Sequence, residues 1–451
     1  MNEKMDKKPY RSCYYLESAV VFFPEEITFC CDRQSPESMT PIGTVEETVE
    51  AFLKMREHTI QENQGDCPPC AGCPLFQEYD MGDGKIQWIS LSTYSYCQFS
   101  CIYCNWQLNH KQDKNKPEHY DSIAICKELK HRGLLSDQLS VSCAPGEISI
   151  HPRKDEYFDF IEENACTVQF VSNAGKYDER IAEILGKNAQ NRLYVSLDCG
   201  TKETFLRVRG IDMFEQVIDN LAKYREKHAT IILKYILLQE NCNILDLMGF
   251  IQICKNLRIS QIQISEDFTK EWNRKPLQKP EEYIVDSAIF LAKQALKNQI
   301  PFSFVEGFGQ TNLSEIHRKL CQEPEFLAIE KSLDRILSAE KVICYGAGGN
   351  LENIICQLSS LGLRKPDALW DIKASNSYKE RLGYPMFYPD FESLNSSSDV
   401  GMLITITNGV VNQDLLASMQ KFGFTNAISY DRLALALMAK QVRKAIEKAD
   451  F

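Results

Sequence analysis

Between residues 85 and 300, short apolar runs alternate with amphipathic stretches. Six of the runs are rich in Val, Ile and aromatic residues, a composition typical of buried strands: 86–92, 139–143, 167–172, 193–198, 230–238 and 261–266. Other stretches repeat apolar residues at three- and four-residue steps, which predicts helices: 122–131, 155–163, 178–185, 214–227, 245–256 and 280–297. Successive strand–helix units predict an α/β fold with a parallel sheet and helices packed on its outer face.

A second α/β pattern begins at Lys341. It predicts a strand over 342–345, a glycine turn and a helix over 351–361. A strand that ends at Asp371, a strand over 401–407 and a helix around 413–422 follow. The turn contains Gly346, Gly348 and Gly349, and its first two glycines fit the dinucleotide fingerprint. Leu351 stands where the fingerprint needs a small residue. Two interpretations therefore stay open: a dinucleotide site, or a docking or substrate-handling domain without a bound cofactor.

A chain of 451 residues is too long to fold around one compact core, so we expect several domains. We predict a cysteine-rich module over 1–84, an α/β core over 85–305, a linker helix over 306–338 and a Rossmann-like domain over 339–451.

Composition narrows the functional classes. The net charge of −11 argues against a nucleic-acid substrate, which favours a basic groove. The apolar run 18–23 is too short for a signal core or a membrane span, so we expect a cytoplasmic protein without a membrane partner. In a reducing compartment, 18 cysteines indicate metal binding or catalysis rather than disulfides.

The most informative cysteines are Cys97, Cys101 and Cys104, spaced C-x3-C-x2-C, with Tyr103 just before the last. Such a loop can bring three thiolates to one corner of a cuboidal cluster. Cysteine normally holds all four irons of a [4Fe–4S] cluster, so three ligands leave one iron open to another molecule. The alternative is three of the four ligands of a zinc site.

The loop resembles that of the radical S-adenosylmethionine (radical SAM) superfamily. This resemblance implies a partial (β/α)6 barrel, with S-adenosylmethionine on the open iron and reductive cleavage to a 5′-deoxyadenosyl radical. It also places Tyr103 near the adenine. Gly146 and Glu147, after the second strand, match two positions of the family's Gly-Gly-Glu-Pro motif, which implies that they meet the methionyl amine of S-adenosylmethionine; an ordinary turn is the alternative.

Polar residues end the third and fourth predicted strands. Ser196 and Asp198 alternate onto one face and could bind the ribose hydroxyls, contact the substrate or end the strand in a turn. Asn173 could donate hydrogen bonds inward or cap the next helix. Cys143 and Cys199 also lie near the predicted barrel mouth, where a thiol could give a hydrogen atom to a substrate radical or be a small core residue.

A second cysteine group precedes the core. Cys67, Cys70 and Cys73 are spaced C-x2-C-x2-C and followed by proline. With one of Cys13, Cys30 or Cys31 they predict an auxiliary iron–sulfur cluster; a structural zinc site is the alternative. The group resembles SPASM and twitch modules, although those normally follow the barrel.

These observations predict a radical SAM enzyme that abstracts hydrogen from a C–H bond of a sugar, nucleotide-sugar or peptide. An external reductant such as flavodoxin or ferredoxin would be its partner. Two rival interpretations are an iron–sulfur electron carrier or sensor without turnover, and a nucleic-acid-modifying radical enzyme.

Overall fold

The structure is a computed structural model that describes residues 10–30, 37–73, 75–79, 83–104, 118–144, 146–267, 279–305, 309–348, 350–374, 379–392, 399–406 and 409–449. The chain forms two compact units. The first contains Met1–Val195 and Arg209–Ile231, and the second contains Ser196–Val208 and Ile232–Phe451.

The elements up to residue 231 begin with a small strand–helix segment and continue as alternating strands and helices. They are β1 (Arg11–Ser12), α1 (Tyr14–Ser18), β2 (Ala19–Phe22), β3 (Ile27–Thr28), α2 (Val45–Glu62), β4 (Gln77–Glu78), β5 (Ile86–Leu91), α3 (Ser122–His131), β6 (Leu135–Cys143), α4 (Lys154–Asn164), β7 (Thr167–Ser172), α5 (Glu179–Lys187), β8 (Arg192–Ser196), α6 (Lys202–Arg209), α7 (Phe214–Glu226) and the start of β9 (Thr230–Leu237).

The elements that follow are α8 (Ile244–Asn256), β10 (Gln261–Glu266), α9 (Glu282–Lys297), β11 (Phe302–Phe304), α10 (Gln310–Leu320), α11 (Pro324–Leu337), β12 (Lys341–Tyr345), α12 (Asn350–Leu361), β13 (Ala368–Trp370), β14 (Glu380–Arg381), β15 (Tyr384–Phe387), β16 (Val400–Ile404), α13 (Gly409–Lys421), β17 (Ala427–Ile428) and α14 (Tyr430–Ala449). Of the helices described, none is both long enough and apolar enough to cross a bilayer.

In the first unit, the sheet has the strand order β8–β7–β6–β5–β2–β3. All of these strands are parallel except β3, which is antiparallel to β2. The carboxyl ends of β5, β6 and β7 therefore lie at one edge, where ligands bind in parallel α/β folds. Because β2 pairs with β5, a strand from the predicted amino-terminal module extends the sheet of the predicted core.

The second unit contains two parallel arrangements. From β9, residues 232–237 pair with β10, which pairs with β11. A separate sheet has the order β14–β15–β13–β12–β16–β17, parallel apart from β14. From β15 to β17 this is the order of a doubly wound sheet. Its core includes Ile343, Trp370, Met402 and Met419.

The predicted α/β class is confirmed, and the parallel strands are consistent with the predicted partial barrel. Strands 167–172 and 261–266 and helix 122–131 have the predicted bounds. Helix α2 was not predicted, although Thr44 and Glu47 form a capping box at its start. The predicted linker helix over 306–338 includes two helices, α10 and α11, because Pro324 starts the second.

Candidate functional site

The predicted cluster loop lies in the first unit, directly after β5. Cys97, Cys101 and Cys104 are all half-buried, so their sulfurs are neither locked in the core nor fully in solvent. Backbone hydrogen bonds fix the loop just before Cys97 and between its first two cysteines: Glu147 N donates to Tyr96 O (2.7 Å) and Ser100 N donates to Arg209 O (3.0 Å).

Gly146 fits against this loop because it has no side chain. Its φ is +92°, a conformation that favours glycine, and a Cβ there would lie 2.7 Å from the Tyr94 ring. The backbone before Glu147 can therefore approach the chain that leads into the cysteine loop.

Glu147 is fully buried and accepts hydrogen bonds on both carboxylate oxygens. Oε2 accepts from Asn173 N (2.6 Å), and Oε1 accepts from Ser149 N (3.2 Å) and Ser149 Oγ (2.6 Å). Ser172 Oγ lies 3.0 and 2.9 Å from the two oxygens. Burial raises the pKa of Glu147, and these hydrogen bonds oppose the shift. The carboxylate thus joins the β6 loop to the end of β7.

Asn173 follows β7 and lies beside the first cysteine. Its Nδ2 is 3.5 Å from Cys97 Sγ and donates to Gln98 Oε1 (3.1 Å), while its Oδ1 accepts from Gly175 N (2.8 Å). The Asn173 side chain therefore contacts both the cysteine loop and the turn that follows β7. An amide donor next to a thiolate stabilises its negative charge.

Arg209 is a buried cation at the same loop, and sequence reasoning missed it. Its guanidinium is hydrogen-bonded to the Tyr103 hydroxyl and lies 5.2 Å from the centroid of the Phe99 ring. A positive charge therefore lies beside the Tyr103 hydroxyl. The Arg209-Gly210 pair gave no recognisable motif, although Gly210 has a φ of +72° and a Cβ there would lie 2.5 Å from Ser100 O.

Ser196 and Asp198 lie in the second unit. Ser196 is half-buried, whereas Asp198 is fully buried and in the left-handed region (φ +59°). Asp198 Oδ1 accepts from Ile236 N (2.7 Å), which ties it to β9. Burial raises the pKa of this carboxyl, and the nearby Lys234 ammonium opposes the shift.

The two candidate hydrogen-atom donors, Cys143 and Cys199, are fully buried. Burial raises the pKa of Cys143 to about 12 and raises that of Cys199, so both are neutral thiols at pH 7. Cys199 is followed by Gly200, whose backbone packs on α8 so closely that a Cβ would lie 2.1 Å from Asp246 O. The structure thus places both thiols in packed surroundings.

The amino-terminal cysteines separate into two groups. Cys13, Cys30, Cys70 and Cys73 are half-buried, and Cys67 is exposed. Cys31 lies outside the described residues. Among the residues the structure describes, no three His, Cys, Asp or Glu side chains are gathered closely enough to hold a single metal ion. The thiolates of a cluster bind separate iron atoms and stand farther apart than the ligands of one ion.

Comparison with known families identifies the segment that contains the cysteine loop. Residues 91–248 match the family model described as the radical SAM superfamily, a segment that spans the cysteine loop, Glu147 and Asn173. This segment is a radical SAM domain. The cofactors of the domain are a [4Fe–4S] cluster and S-adenosylmethionine, and a loop of three accessible soft thiolates is a donor set that fits such a cluster.

Three solved structures are similar to this chain at low identity. SuiB of Streptococcus suis bound to S-adenosylmethionine is 13% identical (TM-score 0.39), with 58% of this chain and 55% of SuiB covered. The protein anSMEcpe with bound AdoMet is 15% identical (TM-score 0.36; 47% of this chain and 58% of that protein covered). The hydrogenase maturase HydG from Carboxydothermus hydrogenoformans is 13% identical (TM-score 0.36; 51% and 56% covered).

The chain thus covers less than two thirds of the length of each of these three proteins. No curated protein matches its sequence.

Proposed function

We propose that this protein is a radical SAM enzyme that reductively cleaves S-adenosylmethionine and abstracts a hydrogen atom from a C–H bond. The proposal depends on one observation: three half-buried cysteines follow the first core strand of a radical SAM domain. Cys97, Cys101 and Cys104 would hold three irons of the cluster and leave the fourth for the cofactor. When bound, these cofactors supply a 5′-deoxyadenosyl radical; binding, orientation and shielding belong to the protein.

The surrounding side chains support distinct roles. The Asn173 amide and the Arg209 guanidinium would stabilise negative charge on the cysteine loop. Glu147 would act as a positioning residue, since its two oxygens already accept from Asn173, Ser149 and Ser172. Tyr103, held by Arg209, would lie against the adenine.

Ser196 and Asp198 remain candidates for the ribose hydroxyls, and Cys143 and Cys199 for hydrogen-atom donation. Because Asp198 accepts from the Ile236 backbone, its role in cofactor binding would involve its remaining oxygen lone pairs. We propose a sugar or nucleotide-sugar substrate, because the doubly wound sheet that begins at β12 resembles Rossmann-like domains appended to sugar-modifying enzymes. A peptide substrate is the second candidate, and flavodoxin or ferredoxin would be the reductant.

The test is anaerobic incubation of the protein with S-adenosylmethionine and dithionite. We expect 5′-deoxyadenosine and loss of its formation in Cys101→Ala. Cys166→Ala is the matched control, because Cys166 is an exposed cysteine of the same unit that lies between α4 and β7. Without 5′-deoxyadenosine from the wild type, the protein would be an iron–sulfur carrier or sensor and the proposal would be wrong.

A further inference from the structure

Outside the radical SAM domain, four cysteines from three separate segments converge in the first unit. Cys13 directly follows β1, Cys30 follows β3 by two residues, and Cys70 and Cys73 lie in the loop between α2 and β4. The antiparallel pair β1–β4, with Ser12 opposite Gln77, brings the segment of Cys13 to that of Cys73. A hydrogen bond from Cys73 N to Cys70 O (3.1 Å) closes a turn between the two loop cysteines.

Two amide side chains at the end of α2 hold this arrangement in place. Asn63, at the end of α2, is only 2% exposed and clamps Cys70: its Nδ2 donates to Cys70 Sγ (3.3 Å) and its Oδ1 accepts from Cys70 N (3.1 Å). The neighbouring Gln64 pairs with the Arg11 backbone in both directions (3.1 and 2.9 Å). The end of α2 therefore fixes the loop and β1 together.

Two of the sulfurs accept N–H hydrogen bonds. Besides Asn63 Nδ2 to Cys70, Leu16 N donates to Cys13 Sγ (3.4 Å). Hydrogen bonds to coordinating sulfurs are a feature of iron–sulfur sites, where they orient the ligand and tune the reduction potential.

The hairpin of β2 and β3 brings Cys30 to the same part of the unit. Thr28 lies opposite Val21, so Cys30, two residues further on, lies near the start of β2, where α1 ends; the side chain of Cys13 caps the start of α1. No three of these side chains in the described part of the chain are as close as the ligands of one ion. That combination fits the wider spacing of thiolates on a cluster.

We propose that Cys13, Cys30, Cys70 and Cys73 hold a second iron–sulfur cluster of the [4Fe–4S] type, and that Cys67 is not one of its ligands. Cys67 lies in the same loop but is exposed, whereas the four proposed ligands are half-buried. This replaces the ligand set expected from spacing, in which Cys67 stood with Cys70 and Cys73. With four cysteines the cluster has no open iron, so it serves electron transfer or stability rather than binding S-adenosylmethionine.

The inference is tested by counting iron, labile sulfide and zinc in the full-length protein after anaerobic purification. We expect about eight irons per wild-type chain, about four in Cys70→Ser and about eight in Cys67→Ser. Equal iron loss in both variants would show that Cys67 is a ligand and overturn the proposal. About four irons with about one zinc in the wild type would also overturn it.

A second variant tests the same proposal if Cys70→Ser does not fold. Asn63→Asp keeps the acceptor for Cys70 N, removes the N–H donor to the sulfur and adds negative charge. We expect an unchanged iron count and a lower reduction potential for one of two electron-paramagnetic-resonance signals. Two unshifted signals would contradict the site. The iron count is independent of the proposed function: eight irons without 5′-deoxyadenosine formation would refute only the radical chemistry.

Discussion

Glu147→Gln distinguishes a positioning carboxylate from a direct ligand of S-adenosylmethionine. Both oxygens of Glu147 accept from backbone N–H groups, Asn173 N on one and Ser149 N on the other. A glutamine has one oxygen, so in either orientation its NH2 group faces a buried N–H donor. An unsatisfied buried donor costs about 1–3 kcal/mol, and the lost charge weakens the other bonds. Part of this free-energy cost is offset, because burying a neutral amide is less unfavourable than burying a carboxylate.

We therefore expect a net destabilisation of about 2 kcal/mol. For a unit of this size it lowers the thermal midpoint by about 4–8 °C. Calorimetry would measure the midpoint, and the KM for S-adenosylmethionine would be measured below it. Glu163→Gln is the control, because that side chain is exposed on α4. An unchanged midpoint with a KM raised tenfold or more would refute the reasoning and make Glu147 a direct ligand.

Three further predictions concern the same unit. Arg209→Met removes the buried cation at the cysteine loop, so we expect lower iron content and slower 5′-deoxyadenosine formation, partly restored by Arg209→Lys; full iron and an unchanged rate would contradict this. Gly146→Ala would meet the Tyr94 ring and should lower the midpoint at least twice as much as Gly84→Ala, whose φ is also positive (+72°) but whose surroundings are open. For His151, burial and the neighbouring Arg153 lower the pKa from 6.5 to about 4, against the opposing charge of Glu156. Since the unfolded chain then binds more protons between these values, about 3 kcal/mol of stability should be lost as the pH falls from 6.5 to 4, and His151→Phe should flatten this dependence in thermal melts at pH 7 and 5. An unchanged slope in that variant would assign the dependence to other groups.

The regular part of the core could be predicted from local pattern. Strand β7 alternates half-buried and buried residues over its whole length, so its period was visible and its bounds were predicted correctly. Strand β6 begins four residues before the predicted start because Leu135 pairs with Ile86 across a register shift, which is a tertiary contact. The short strand β11 was missed because three residues show no measurable period.

The candidate site was predictable only where its residues are close in sequence. The spacing of Cys97, Cys101 and Cys104 is local, and the matching family segment agrees with it. The contact between Asn173 and Cys97 joins residues 76 positions apart, and that between Arg209 and Tyr103 joins residues 106 apart. Contacts of this kind depend on which strands are neighbours in the sheet. From the sequence we could expect the cysteine loop to have polar neighbours, but we could not tell which residues they would be. Cys67 remains a prediction from spacing, and our proposal leaves it out because it is exposed; spacing alone does not report exposure.

The glycine turn after β12 shows how a carboxylate can change the function of a familiar pattern. Asp371 ends the strand at which such sheets bind a ribose, but its Oδ2 accepts from Ala347 N (2.7 Å) and its Oδ1 from Lys373 N (2.8 Å). The N–H group of the turn is thus already satisfied by a negative charge, where a dinucleotide would bring its pyrophosphate. Leu351, fully buried, fills the position of the third small residue. Both features favour the docking or substrate-handling interpretation of this domain, since a dinucleotide would have to displace Asp371 before it could bind.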